Sequence, residues 1–261
     1  MITSLPALRL RASGSLCRRA FSTTPTTSMS ASVAAASFVR NGRKIVAIGR
    51  NYDLHVKELG NTRPTEPFFF LKPTTSYVLS GGKMEIPHGV LAHHEVELGV
   101  VIGRTGRDIS QADAAGYIAG YALAVDMTAR NVQDHVKKRG LPWSTAKGFD
   151  TFTPIGSFIP KDKIADPHKL TLTLKINGAF KQNGSTADMI FQIPRLIEHV
   201  SSIMTLEEGD LLLTGTPDGV GPVVAGDKVE CALLDTESGA PIEALVFEAV
   251  DRQGGYKFAA A

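Results

Sequence analysis

The sequence predicts an α+β fold built on a mixed, curled β-sheet. Three observations carry this. Apolar runs of strand length outnumber the helical patterns, and two pairs of them flank tight turns at Asn177-Gly178 and Glu237-Ser238-Gly239. No regular alternation of strand and helix marks a doubly wound parallel sheet.

The elements follow in order. Lys44-Ile45-Val46-Ala47-Ile48-Gly49 is a short strand running into glycine, and Asn51 to Gly60 has the apolar spacing of a short helix that Gly60 stops. Phe68 to Pro73 is a second strand, and Pro73 lacks the N–H that a central strand needs. His93 to Gly103 is a third, with Val96, Leu98, Val100 and Ile102 alternating along it. A fourth, Gly120 to Met127, is apolar until Asp126, and a helix from about Ser110 is expected between these two. Thr128 to Gly140 has helical spacing and ends at Gly140-Leu141-Pro142. Leu170 to Ile176 alternates cleanly before its turn, and Ile193 to Met204 reads as a helix with Pro194 in its first turn. Asp210 to Gly215 is a buried strand entering a glycine-rich loop, and Lys228–Leu234 pairs with Ile242–Val250 in a final hairpin.

At 261 residues, 43% of them hydrophobic, the chain holds ample material for a core. No apolar run is long enough to span a bilayer as a helix, so no membrane partner is expected. Only two cysteines occur, Cys17 and Cys231, which excludes a disulfide scaffold. Residues 1–52 carry eight basic residues and no acidic one, leaving 20 basic against 26 acidic residues beyond them. The basic excess is therefore confined to one end, and the body offers no basic stripe with interleaved aromatics, so nucleic-acid binding is not expected. Residues 1–38 are rich in Ser, Thr, Ala and Arg, the composition of a mitochondrial transit peptide. Within them Arg18-Arg19-Ala20-Phe21-Ser22 has the character of a matrix-processing site. The domain expected to fold is 39–255.

Glu95 and Glu97 lie two apart on a strand and so share a face. Like charges side by side repel unless a cation lies between them. If Asp126 converges on them, three carboxylates make the all-oxygen site that Mg²⁺ or Mn²⁺ prefers. On spacing alone, a solvated acidic face is the more common outcome. A zinc site is weaker, because His93 and His94 are adjacent and there is no HExxH or CxxC. His55 and Glu58 stand three apart on the short helix, where an imidazole and a carboxylate can form a general acid/base pair or a plain surface pair. Lys147 lies in a small-residue segment, where a solvated lysine is the ordinary reading and an anion contact the sharper one. The loop Thr214-Gly215-Thr216-Pro217-Asp218-Gly219-Val220-Gly221-Pro222 can present backbone N–H groups to a carboxylate or phosphate, but it is not a nucleotide loop.

Taken in order, several words of the sequence resemble the fumarylacetoacetate hydrolase superfamily from about residue 43 to 250. They are Gly49-Arg50-Asn51-Tyr52 with His55 and Glu58, Phe70-Leu71-Lys72-Pro73, His94-Glu95-Val96-Glu97-Leu98, Asp126-Met127-Thr128-Ala129-Arg130, Lys147, and Thr214-Gly215-Thr216-Pro217. Asp-Met-Thr-Ala-Arg, Gly-Leu-Pro-Trp and Leu-Glu-Glu-Gly-Asp are most similar to a mitochondrial branch acting on oxaloacetate and acylpyruvates. The resemblance implies a mixed β-roll, a homodimer, and one Mg²⁺ or Mn²⁺ held by Glu95, Glu97 and Asp126. It implies His55 and Glu58 as acid/base dyad on a lid, and Lys147 as a catalytic residue orienting the substrate. Arg50, Arg130, Gln133, Gly215 and Thr216 are implied as substrate contacts.

The implied substrate is a small 2-oxo acid. Tautomerisation of oxaloacetate, its decarboxylation and the hydrolysis of acylpyruvates share an enolate that a hard cation stabilises. Two alternatives stay open on the sequence: a hydratase or isomerase of catechol-pathway 2-oxo acids, and a small-molecule binding protein without turnover.

Overall fold

The computed structural model describes Met1 and residues 37–259. The expected transit peptide therefore lies almost wholly outside the described residues. A turn of helix, α1 (Phe38–Asn41), buries Phe38 and leads into β1 (Ile45–Gly49). The short helix α2 (Asp53–Glu58) comes next, ahead of β2 (Phe68–Lys72), β3 (Tyr77–Leu79), β4 (Lys83–Ile86) and β5 (Ala92–His94). The two strands adjoining the acids are β6 (Val96–Ile102) and β7 (Ile118–Val125). A short β8 (Thr128–Ala129) enters α3 (Arg130–Lys138), followed by one helical turn, α4 (Ser144–Lys147). Then come β9 (Thr153–Ile155), β10 (Ile159–Pro160), β11 (Leu170–Ile176), β12 (Ala179–Ser185) and α5 (Ile193–Ile203). The chain closes with β13 (Leu211–Leu213), β14 (Gly221–Val223), β15 (Lys228–Asp235) and β16 (Pro241–Asp251).

These strands make three sheets. The first runs β2-β1-β13-β6-β7-β9-β3, with β10 also on β7; the second runs β12-β11-β15-β16-β4; the third is β14-β5-β8. Parallel pairs (β1 with β13, β3 with β9, β4 with β16) lie among antiparallel ones, so the fold is a mixed α+β roll. As Pro73 requires, β2 takes an edge position.

Period-two alternation divides β6 between two apolar layers. Leu98, Val100 and Ile102 pack with Leu123, Leu172, Leu174, Leu233 and Phe247 in the main core, while Val101 joins Phe38, Ile45, Ala122 and Leu213 on the other face. All seven residues of β6 are buried, which accounts for a strand that is apolar on both sides. Each such Leu or Val stabilises the fold by roughly 1.5–3 kcal/mol.

Two sequence expectations need correction. The segment from Ser110 is no α-helix but a 3-10 turn over Ala114–Tyr117. Ser110 and Asp113 bond to one another through side chain and backbone, a local turn that competes with helix, and Gly103 N–H takes the Tyr117 carbonyl into the sheet. The helix expected from Thr128 starts at Arg130, because Thr128 and Ala129 pair with β5.

Candidate metal centre and active site

Antiparallel pairing of β6 with β7 aligns Val96 with Val125 and Glu97 with Ala124. One residue past that ladder the Asp126 N–H donates to the Glu95 carbonyl at 2.8 Å, so the two acids sit side by side where the strands end. Glu95 itself precedes β6 by one residue. The carboxylates of Glu95, Glu97 and Asp126 each offer an oxygen, all within 4.8 Å of one another, and all three residues are buried. The solvated acidic face is thereby excluded.

Cations surround this cluster unevenly. Lys147 Nζ reaches Glu95 Oε2 at 2.9 Å and Asp126 Oδ2 at 2.5 Å, while Lys72 Nζ takes Asp126 Oδ1 from behind at 2.5 Å and the Phe152 carbonyl at 2.7 Å. Arg130 donates to Glu95 Oε1 at 2.5 Å, beside the Thr128 hydroxyl at 3.0 Å. Burial pushes the Glu95 carboxyl up, but Lys147 and Arg130 outweigh it and hold it well below the usual range. Burial also works against the Lys147 ammonium, which Asp126 and Glu95 nevertheless favour enough to raise its pKa. For Lys72 burial wins, and its pKa is lowered.

Glu97 is different. It makes no ion pair among the described residues, and its bond is a backbone one, from the Gly215 N–H at 2.7 Å. Burial first, then the neighbouring Asp126 and Glu95 charges, push its carboxyl well above the ordinary value. A buried acid raised in this way, in a set of three hard oxygen donors, is what a bound divalent cation would relieve. The residues present fit such an ion.

Of the acid/base candidates, His55 faces the same cavity and Glu58 supports it from outside the lining. His55 is buried, its Nδ1 lies 3.2 Å from Glu58 Oε2, and Glu58 Oε1 accepts from the Gly219 N–H at 3.1 Å. So the glycine-rich loop does meet carboxylates, but they are the protein's own, Glu97 at one end and Glu58 at the other. The cavity, about 110 Å³, is lined by Arg50, His55, Glu95, Glu97, Asp126, Arg130, Gln133, Lys147 and Thr216. That is room for a handful of water-sized groups, the scale of a small organic acid. Gln133 accepts from Arg130 at 2.5 Å, and Arg50, with φ +56°, sits in the left-handed region where β1 turns towards α2.

Gly215 does not line the cavity. It acts through its N–H, and its φ of +94° with Asn51 packed against it leaves no space for a Cβ. Lys147 is 1% exposed, which excludes the solvated reading. His93 and His94 stay outside the triad; burial lowers the His93 pKa to about 4.

Three residues went unassigned in the sequence. Lys72 closes the apolar run Phe68–Leu71 with a charge and lies in the word Phe70-Leu71-Lys72-Pro73, but neither gives it a role. Asn51 and Gln182 hold backbone and side chains on both sides of the loop; Asn51 lies in the word Gly49-Arg50-Asn51-Tyr52 without a role of its own, and Gln182 carries no sequence signal.

Residues 44–245 match the fumarylacetoacetate (FAA) hydrolase C-terminal family. The chain belongs to this family. It is 57% identical over 204 residues, 77% of its own length and 94% of the relative's, to a mitochondrial oxaloacetate decarboxylase of Dictyostelium discoideum. It is 56% identical over 195 residues, 74% and 87% of the two lengths, to a mitochondrial oxaloacetate tautomerase of Arabidopsis thaliana. Among solved structures, it is similar to fumarylpyruvate hydrolase from Pseudomonas aeruginosa in complex with Mn²⁺ and pyruvate. That likeness has a TM-score of 0.73 and 32% identity, covering 80% of this chain and 90% of the other. The β-roll and the family implied by the sequence words are both borne out.

Proposed function

We propose that this family member is a mitochondrial enzyme dependent on a divalent cation, Mg²⁺ or Mn²⁺, that acts on oxaloacetate and related 2-oxo acids. Its reactions are enol–keto tautomerisation, decarboxylation and hydrolysis of acylpyruvates. The observation that carries this reading is one cavity holding both the buried Glu95–Glu97–Asp126 cluster and His55. The names of the relatives support the substrate and the compartment.

Glu95, Glu97 and Asp126 would hold the ion, which supplies Lewis-acid stabilisation of the negative charge that develops on a 2-oxo acid when a bond at C3 breaks. Charge also selects the substrate. The cavity wall carries four basic side chains (Arg50, Arg130, Lys137, Lys147) and four acidic ones (Glu95, Glu97, Asp126, Asp134). A divalent cation leaves a formal surplus of two positive charges, which complements a dicarboxylate such as oxaloacetate. Lys147 and Arg130 orient the carboxylates, with Arg50, Gln133 and Thr216 completing the walls.

Glu58 engages Nδ1 of His55 and leaves Nε2 as the nitrogen that exchanges a proton with substrate. In tautomerisation His55 takes a proton from C3 and the enol oxygen gains one, or the reverse. In decarboxylation the C3–C4 bond breaks, CO₂ leaves, and a proton returned to C3 gives pyruvate. In hydrolysis His55 draws a proton from water as it adds to the distal carbonyl; the C–C bond then breaks with its electron pair left on C3, a carboxylic acid leaves, and the proton passed from His55 to C3 gives pyruvate.

An NMR time course with enol-rich oxaloacetate and an acylpyruvate tests this, with Mg²⁺, with Mn²⁺ and with chelator. Turnover of at least one substrate that chelator abolishes is expected; ligand binding without turnover under saturating metal would overturn the assignment. As part of the same reading, residues 1–38 direct the chain to the matrix and the folded domain assembles as a homodimer. Light scattering on the purified protein checks the second point.

A further inference from the structure

The glycine-rich loop touches both halves of the site, Glu97 through Gly215 N–H and Glu58 through Gly219 N–H. Its two ends are secured by different parts of the molecule. The Gly215 end is fixed within the first sheet and by Asn51. Thr214 donates to the Leu98 carbonyl through N–H (3.1 Å) and hydroxyl (2.8 Å), and Asn51 Nδ2 donates to the Thr214 carbonyl at 2.8 Å.

The Gly219 end rests on β12, a strand of the second sheet. There Gln182 is 1% exposed, and its amide is used on every side. Oε1 accepts from Val96 N–H at 3.0 Å and from His94 Nδ1 at 2.9 Å, while Nε2 donates to Thr216 Oγ1 at 2.8 Å and to the Pro217 carbonyl at 2.9 Å. The Val96 N–H can only donate, so it fixes the orientation of the amide, and Thr216 passes its own proton to the Val96 carbonyl at 2.8 Å. The backbones are in close contact as well. A Cβ on Gly184 would lie 2.3 Å from Pro217 Cβ, and one on Gly219 would lie 2.2 Å from the Lys181 carbonyl oxygen.

We infer that Gln182 is a positioning residue that sets the spacing between the acidic triad and the His55–Glu58 pair, by clamping the distal half of the loop to the start of β6. One amide bridges the strand that carries Glu97 and the loop residues that precede the Glu58 anchor. Because the Gly215 end has its own restraints, losing the clamp frees Glu58 while leaving the metal ligands in place. This assignment rests on the proposed acid/base role of His55 and Glu58, but its structural half stands without it.

The test is Gln182→Glu, which keeps an acceptor for Val96 and His94 and replaces the donor facing Thr216 and Pro217 with an oxygen. Gly184→Ala forces the loop outward by an independent contact. Both variants and the wild type are compared by Mn²⁺ titration calorimetry, amide hydrogen exchange and steady-state kinetics on oxaloacetate. In both variants the Gly219 amide is expected to exchange at least tenfold faster, with Gly215 protection and Mn²⁺ affinity within about threefold of wild type. The expected fall in kcat is about tenfold or more. Unchanged Gly219 exchange, or loss of Mn²⁺ affinity in step with kcat, would overturn the clamp. Faster Gly219 exchange in a protein whose wild type turns over neither oxaloacetate nor acylpyruvate would uphold the clamp and sink the proposed function instead.

Discussion

Glu95 and Glu97 stand two residues apart and are held in opposite electrostatic states. Lys147 and Arg130 keep the first ionised, whereas for the second burial and two neighbouring charges outweigh Lys147 and a backbone N–H. Metal binding must therefore displace a proton from Glu97 wherever pH lies below its raised pKa, so Mn²⁺ affinity is expected to increase with pH in that range, by up to about tenfold per unit. Titration calorimetry in buffers of different ionisation enthalpy checks this by counting the released proton. The stability consequence has a definite sign. Above about pH 4.5 the folded, metal-free protein holds a proton on Glu97 that the unfolded chain has lost, so this group's contribution declines as pH rises through the folded pKa. His93, whose folded pKa is lowered, contributes the opposite trend between about pH 4 and 6.5. The metal-induced gain in Tm cancels that background and should grow with pH. His55→Ala should leave Mn²⁺ affinity within about twofold and lower kcat by roughly 10²–10⁴, measured by single-turnover kinetics. Lys72 balances Asp126 from inside the core, and Lys72→Met should destabilise the protein by about 1.5–3 kcal/mol in urea unfolding, because a buried carboxylate loses one of its two cationic partners and keeps Lys147. The residue types of the acids, His55 and Glu58 were legible in the sequence. The burial of Lys147 and Lys72 was not, because it depends on Phe70, Phe152 and Asp126 meeting from separate segments of the chain.

Among the elements, the glycine-rich loop has the strictest geometry. Gly215→Ala combines a positive φ with a Cβ placed 2.8 Å from that of Asn51, and about 1–3 kcal/mol of destabilisation is expected, with weaker Mn²⁺ binding as Glu97 loses its N–H. Thermal unfolding with and without Mn²⁺ separates the two effects. The turn that presents Lys147 is braced by Trp143, which packs its ring against Phe68 at 5.6 Å and Phe70 at 5.5 Å. Hairpins and buried strands were readable from period and turn residues, since Asn177 at φ +49° and Gly178 at +82° adopt what that pair favours. The segment from Ser110 was not, because capping chemistry that opens a helix equally well closes a local turn, and only the pull of Gly103 on Tyr117 decides between them.

At the scale of the molecule, the roll is what makes a site from scattered words. β1, β13, β6 and β7 lie side by side although they come from residues 45–125 and 211–213, so the helix after β1 and the loop after β13 meet over the ends of β6 and β7. Strand order of this kind was not legible: each run shows its own period but not its neighbour, and the parallel pairing of β1 with β13 joins Ile45 to Leu211. The motif words fixed the family where topology could not be read. The words that carry site residues sit at strand ends, turns and short helices over one rim of the sheet, whereas Leu206–Asp210 adjoins the opposite ends of β1 and β6. The measurement that bears most directly on the whole account is Mn²⁺ titration of the wild type against Glu97→Ala, both shown to be folded by circular dichroism. One ion per chain in the wild type, with binding and turnover lost together in the variant, is the result expected; a folded Glu97→Ala protein that binds Mn²⁺ as tightly and still turns over oxaloacetate would contradict it.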